Sequence, residues 1–285
     1  MTPDEYCAEK AAASGSSFYY AFLFLAPERR RAITALYAYC REVDDIVDEV
    51  SDPALAQTKL AWWGQEIERL FTGSPGHPVA RALAPHLGSF GITRARLLQI
   101  LEGMQMDLRQ TRYLDYASLQ RYCHLVAGVV GELSAGIFGA TRDATLAYAR
   151  SLGQSLQMVN ILRDVGEDAR RGRIYLPIDD LQHFDVKASD LLNARYVDGF
   201  AALMRFEAQR ARGLYRDALA LLPEADRRAQ RPGLIMGAIY LSLLDELERA
   251  GFQVLHQRIA LTPLRKLWIA WRTWVFGPPP RLARA

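Results

Sequence analysis

The sequence predicts an all-α protein. Apolar residues recur at steps of three and four almost throughout, alternating strand patterns are missing, and Gly/Pro-rich breaks separate the long periodic segments. Half of the 285 residues are hydrophobic and 24% are charged, which supplies a large core and argues against disorder. No linker is long enough, or low enough in complexity, to divide the chain, so residues 1–285 are expected to form a single domain.

The N-terminus, "MTPDEYCAEK", is polar and acidic where a signal peptide needs a basic start and an apolar run. Ile33, Leu36, Cys40, Val43 and Val47 then mark the buried stripe of a first long helix. Breaks at 73–78, 90–93, 174–186, 221–233 and 276–280 read as loops between long helices. The apolar stretch 125–140, "LVAGVVGELSAGIFGA", is interrupted by Glu132 and is shorter than the ~20 residues of a spanning helix, so no membrane span is expected. Along it Ala127, Gly128, Gly131, Ser134, Ala135, Gly136 and Gly139 leave a bare surface, although each interior Gly costs about 1 kcal/mol against Ala. Such a surface either makes room for a ligand or lets a neighbouring helix approach closely. Leu152, Leu156, Val159 and Leu162 are the buried stripe of a later helix.

Charge and cysteine content exclude several classes of function. A net charge of +3 is no nucleic-acid signature. Cys7, Cys40 and Cys123 are widely spaced and form no C-x-x-C pair, which argues against a disulfide framework and a zinc site and fits a reducing cytoplasm. Basic residues gather in the tail, 262–285, where Trp268, Trp271 and Val275 share a face that Leu264 and Leu267 extend, with Arg265, Lys266 and Arg272 supplying charge. This pattern suits either peripheral contact with an anionic membrane surface, the inner one for a cytoplasmic protein, or packing of the Trp residues on the protein body.

Two acidic stripes carry the chemistry. In "CREVDDIVDE", Asp44, Asp45, Asp48 and Glu49 are crowded together, and Tyr37, Arg41, Asp44, Asp45 and Asp48 share the polar face of the first long helix. Like charges at this spacing cost a few tenths of a kcal/mol per pair. One such stripe alone reads as a solvated acidic face, but a second follows: Gln157, Asn160, Asp164 and Asp168 fall at steps of three, four and four. Carboxylate and amide oxygens suit a hard divalent cation, and Mg²⁺ typically completes its shell with water and substrate phosphate oxygens. Arg41 and Arg163 offer guanidinium forks for phosphate, whereas Arg170 and Arg171 read as partners for acids on their own helix.

"YAYCREVDDIVDE", "RYCHLVAGVVGEL", "QMVNILRDVGEDARRGRIYLP" and "IYLSLLDELERAGFQVLHQRI" together resemble the squalene/phytoene synthase family, the head-to-head prenyl diphosphate synthases. The start of the chain, "YCAEKAAASGSSFYYAFLFLAPERRRAITALYAYCREVDD", is most similar to the members that make presqualene diphosphate in bacterial hopanoid pathways. The resemblance implies an isoprenoid-synthase helical fold with a central cavity, and a prenyltransferase that condenses two farnesyl diphosphates. It also implies Mg²⁺, with Mn²⁺ as a substitute, held by Asp44 and Asp48 on one side and by Asn160, Asp164 and Asp168 on the other. Tyr37, Arg41, Gln157, Arg163, Tyr175, Tyr240 and Arg258 match positions that line the cavity or contact diphosphate. Tyr122 matches a tyrosine that handles the proton or the cation.

Ser14 and Ser16 stand where several relatives carry basic residues, and they either donate hydrogen bonds to diphosphate or cap the first helix. Phe18, Phe22, Tyr37, Tyr122 and Phe138 are candidate aromatic walls for a carbocation. NADPH is not expected. Phytoene, dehydrosqualene and squalene synthesis are the alternatives within the family, and a non-catalytic helical interaction protein is the alternative outside it.

Overall fold

Prolines and side-chain caps set where many of the helices start in the computed structural model, which describes residues 1–13, 18–22 and 24–278. Ser14 and Ser16 lie outside the described residues. Helix α1 (Pro3–Ala13) and the short α2 (Phe18–Phe22) precede α3 (Pro27–Glu49), which opens on Pro27. Asp52 is extended, as a residue before proline prefers, and its carboxylate accepts from the Ala54 and Leu55 amides to cap α4 (Pro53–Phe71). Next come α5 (Pro78–Leu83), α6 (Arg94–Arg109), capped by Thr93, and α7 (Tyr116–Cys123), held by an Asp115/Ser118 capping box. A π-helical turn, His124–Gly128, carries α7 into α8 (Val129–Phe138), which ends on Gly139 at φ 100°. The chain continues through α9 (Asp143–Arg170), α10 (Ile178–His183), α11 (Ala188–Leu192), α12 (Phe200–Leu221), α13 (Glu224–Arg227), α14 (Arg231–Arg249) and α15 (Pro263–Phe276).

The described residues form no strand, and their one isolated bridge pairs Arg112 with Ile174. The all-α expectation holds. Two stretches read as loops contain the short helices α10 and α13, which are six and four residues long and so offer no period to read.

The 28-residue α9 packs against α8, α12 and α14, and α14 is buried without a break from Pro232 to Leu244. The bare surface on the π turn and α8 lets a neighbouring helix approach closely. A Cβ on Gly131 would stand 2.2 Å from the Ala149 carbonyl oxygen, and one on Gly153 2.3 Å from that of Ala127, so the backbones touch. Ala127, Gly131, Ser134 and Ala135 also line a cavity. All three cysteines are free, and among the described residues no helix is long and apolar enough to cross a membrane.

Two backbone bonds place the remaining site segment. The Ile174 amide donates to the Thr111 carbonyl at 3.1 Å and the Ile178 amide to that of Tyr113 at 2.9 Å, which ties the chain after α9 to the chain after α6. Tyr113, Tyr122 and Tyr175 meet there, with ring centroids 5.2–5.7 Å apart.

Candidate active site

A cavity of about 460 Å³ lies among α3, α6, α8, α9 and α14. Part of its wall is apolar, including Ile100, Met104, Val130, Phe138, Leu152 and Met236; another part is charged and polar, with Tyr37, Arg41, Asp44, Gln157, Asn160, Arg163, Tyr240, Arg258 and Lys266. Four cations therefore meet an apolar interior in one enclosure. That arrangement suits a ligand with an anionic head and a long hydrocarbon tail. Rings of Phe18, Tyr37, Tyr122 and Phe138 contribute to the lining. Phe22 does not line it but packs behind, 6.2 Å from Phe18 and 6.5 Å from Phe138 between ring centroids.

The two stripes are joined by arginines. Arg41 donates to Asp44 at 2.7 Å and also to Asp45, and Asp45 is held from its other side by Lys10 at 2.8 Å. Asp48 on α3 pairs with Arg171 at 3.0 Å and with Arg173 at 2.8 Å, both just past the end of α9. Arg171 thus reaches across to the other stripe as well as to Glu167 on its own helix, where the sequence suggested only the latter. Asp164 takes Arg163 and, at 3.1 Å, Arg258. Asp48, Asp164 and Asp168 stand outside the cavity lining, and among the described residues no three acidic, His or Cys side chains are grouped as a ready cation site. Guanidinium groups face most of these carboxylates instead.

Two features still fit a hard cation. The Asn160 side-chain oxygen is buried without a hydrogen-bond partner, on the same helix face as Asp164 and Asp168. Burial, then the neighbouring charges of Asp164, Asp107 and Asp48, push the Asp168 carboxyl up to about 8. Burial and Asp48 raise Asp44 in the same sense.

Tyr175 is displaced from its expected place. It does not line the cavity; it lies behind Tyr122, and its hydroxyl donates to Asp107 Oδ1 at 2.9 Å. Tyr122 lines the cavity and donates to Asp107 Oδ2 at 2.6 Å. Asp107 is 6% exposed, and burial pushes its carboxyl up to about 6. Sequence reasoning passed over Asp107; it counted Arg173 only among the basic residues that follow the second stripe and Lys266 only among the charges of the tail. Asp107 was findable: it follows Ile100 and Met104 by seven and three residues, so it is a carboxylate on the buried stripe of α6.

These raised carboxyls predict how stability varies with pH. A folded-state pKa above the unfolded value of about 4 favours folding while the group stays protonated, and that stability is lost as pH rises through the folded pKa. Thermal melting in EDTA is expected to show the melting temperature falling from about pH 4 to pH 8, the span from the unfolded value to the raised values of Asp107, Asp44, Glu207 and Asp168. A melting temperature that climbs across this interval contradicts the crowded, buried carboxylates.

Known proteins are similar to this chain in sequence and in fold. The squalene/phytoene synthase family model matches residues 11–265. A phytoene synthase of Arthrospira platensis is 35% identical over 276 residues, which is 92% of this chain and 89% of that protein; of the Zea mays chloroplast phytoene synthase the chain spans 63%. The crystal structure of a dehydrosqualene synthase in complex with ligand superposes with a TM-score of 0.84 at 28% identity, covering 96% of each chain. That of squalene synthase HpnC from Alicyclobacillus acidocaldarius gives 0.77, also at 28% identity, over 88% of this chain and 94% of the other.

Proposed function

The chain belongs to the squalene/phytoene synthase family, and from that premise we propose that it joins two farnesyl diphosphates head to head, releases one diphosphate and forms presqualene diphosphate for hopanoid or squalene biosynthesis. Residues 1–285 act as one catalytic domain. The observation that carries this reading is the single cavity in which Arg41, Arg163, Arg258 and Lys266 meet an apolar wall beside two carboxylate stripes. The choice of product rests on the N-terminal likeness to presqualene diphosphate synthases.

Arg41, Arg163, Arg258 and Lys266 bind the diphosphates and offset charge on the leaving group. The apolar wall excludes water, and the Tyr37, Phe18 and Tyr122 rings face the allylic cation. C1 of the ionised chain then bonds to C2 of the second, leaving the cation on C3, and loss of a C1 proton closes the three-membered ring. Bound Mg²⁺, held by Asp44, Asp48, Asn160, Asp164 and Asp168, would supply Lewis-acid stabilisation of the departing diphosphate.

Incubating the pure protein with farnesyl diphosphate and Mg²⁺, with and without NADPH, tests this. Presqualene diphosphate is expected in both arms. Squalene formed only with NADPH overturns the product. A second reading, phytoene from a longer prenyl diphosphate, is favoured by the curated relatives; product from that substrate alone establishes it.

The tail divides between its two expected roles. Trp274 stacks on Phe24 with centroids 4.9 Å apart, and both rings are half-buried against the protein body. Leu264 (80% exposed), Trp268 (58%) and Phe276 (72%) instead look outward with Leu267, Trp271 and Val275, while Lys266, on the same helix, lines the cavity. This face contacts anionic membrane beside the route an insoluble product takes. Flotation with anionic vesicles at low salt is expected to capture the protein, and Trp268→Ala with Trp271→Ala to weaken capture roughly tenfold. Equal capture of the double variant removes the helix from consideration.

A further inference from the structure

Among the described residues, Asp107 is the one buried carboxylate beside the cavity whose two oxygens are both taken by tyrosine hydroxyls, Tyr122 at 2.6 Å and Tyr175 at 2.9 Å. It does not line the cavity, and the tyrosine hydroxyls that occupy both of its oxygens separate it from a bound diphosphate. Tyr122 does line the cavity and is 4% exposed. Because its hydroxyl proton is committed to Asp107, the phenol oxygen is left as an acceptor. Tyr175 stacks on the Tyr122 ring and Tyr113 packs against it at a tilt of 46°, and together they fix its plane.

We propose that Asp107 is a positioning residue that works through Tyr122 as the terminal acceptor of the proton lost when the cyclopropane closes. The electrons of the C1–H bond form the C1–C3 bond. The proton passes to Tyr122 Oη, the hydroxyl's own proton passes to Asp107 Oδ2, and Tyr122 ends neutral with Asp107 as the carboxylic acid. After product leaves, the proton returns by the same route to water. Burial makes the Asp107 carboxyl more basic than an ordinary aspartate while leaving it mostly ionised at neutral pH. The Tyr175 hydroxyl keeps its bond to Oδ1 throughout and holds the carboxylate plane.

This inference rests on the condensation proposed above, so wild-type protein is assayed first. If it forms no coupled product from farnesyl diphosphate or from a longer prenyl diphosphate, that reading fails and not this one. The test proper compares diphosphate release with coupled product in Asp107→Asn, using substrate with hydrogen or deuterium at C1. The amide keeps the shape and can still accept from Tyr122, but it cannot take the proton. Coupled product is expected to fall about 100-fold or more. Diphosphate release is expected to fall at least tenfold less, with the difference appearing as prenyl alcohol from captured water. A primary isotope effect absent from wild type should emerge on the coupled product, and Tyr122→Phe should show the same uncoupling, to which Asp107→Asn adds nothing. A structural role predicts otherwise: release and product falling in equal proportion with no isotope effect, or both staying near wild type, overturns the proposal. Should Asp107→Asn not fold, Asp107→Ala with added formate replaces it. Formate, a carboxylate, is expected to restore coupling and formamide is not; equal effects of the two, or none, count against the relay.

Discussion

Asp168→Asn is expected to lower turnover roughly 10²–10³-fold and, at the same time, to raise the melting temperature of the metal-free protein. Both effects have one origin. The Asp168 carboxyl sits among Asp164, Asp107 and Asp48 with no ion pair of its own among the described residues, and burial with those charges pushes it up to about 8. The amide removes the repulsion and with it the charge for a cation, which is how a site arranged for ligand carries a stability cost. The two proteins should melt alike below about pH 3, where the carboxyl is protonated in both folded and unfolded chains, and diverge from there up to about pH 8. Asp48→Asn should be equally inactive but not stabilised, since it withdraws charge from Arg171 and Arg173, at a cost of roughly 1–3 kcal/mol. Asp52→Asn, which preserves the α4 cap, serves as the control with near-normal rate and melting. Diphosphate release and melting curves for the three variants decide the matter: near-normal turnover of Asp168→Asn returns the second stripe to ordinary surface charge.

Chelation has the other large expected effect. EDTA should depress turnover by about 10³-fold or more, since a stabilisation of about 4 kcal/mol at the leaving group corresponds to that factor. Added Mg²⁺ should restore the rate. The residues that motivate this are the unpartnered buried oxygen of Asn160 and the crowded Asp168 beside it. Full activity in rigorously metal-free buffer leaves those oxygens without their proposed role.

The stripes were legible because their residues lie one turn apart on single helices, where spacing alone fixes the face. The same holds for the buried stripe of α3: Ile33, Leu36, Val43 and Val47 are all buried. Residues whose importance comes from another segment were not legible. Arg173 lies beyond the last turn of α9 and matters because the Arg112–Ile174 bridge sets the course of the chain beside α3. Lys266 reads as one charge in an amphipathic tail until α15 folds back against α14 and α2 and brings it to the cavity. Tyr175 was expected at the wall because motif matching conveys proximity and not depth; the hydrogen bond to Asp107 draws it one layer back.

The π turn at His124–Gly128 determines how the enzyme can change. The Val129 amide bonds the His124 carbonyl, five residues back, so one helix accommodates a residue more than an α turn holds. Each α-helical residue advances the face by about 100°. Tyr122 before the turn and Gly131, Ser134 and Ala135 after it could not keep their present walls if that residue were lost, and Gly131 would swing out of its contact with the Ala149 carbonyl. Single-residue deletions here are therefore not graded like substitutions. They switch a whole helical face at once, and the cavity wall in this segment is open to descent by exchange of side chains but closed to descent by loss of length.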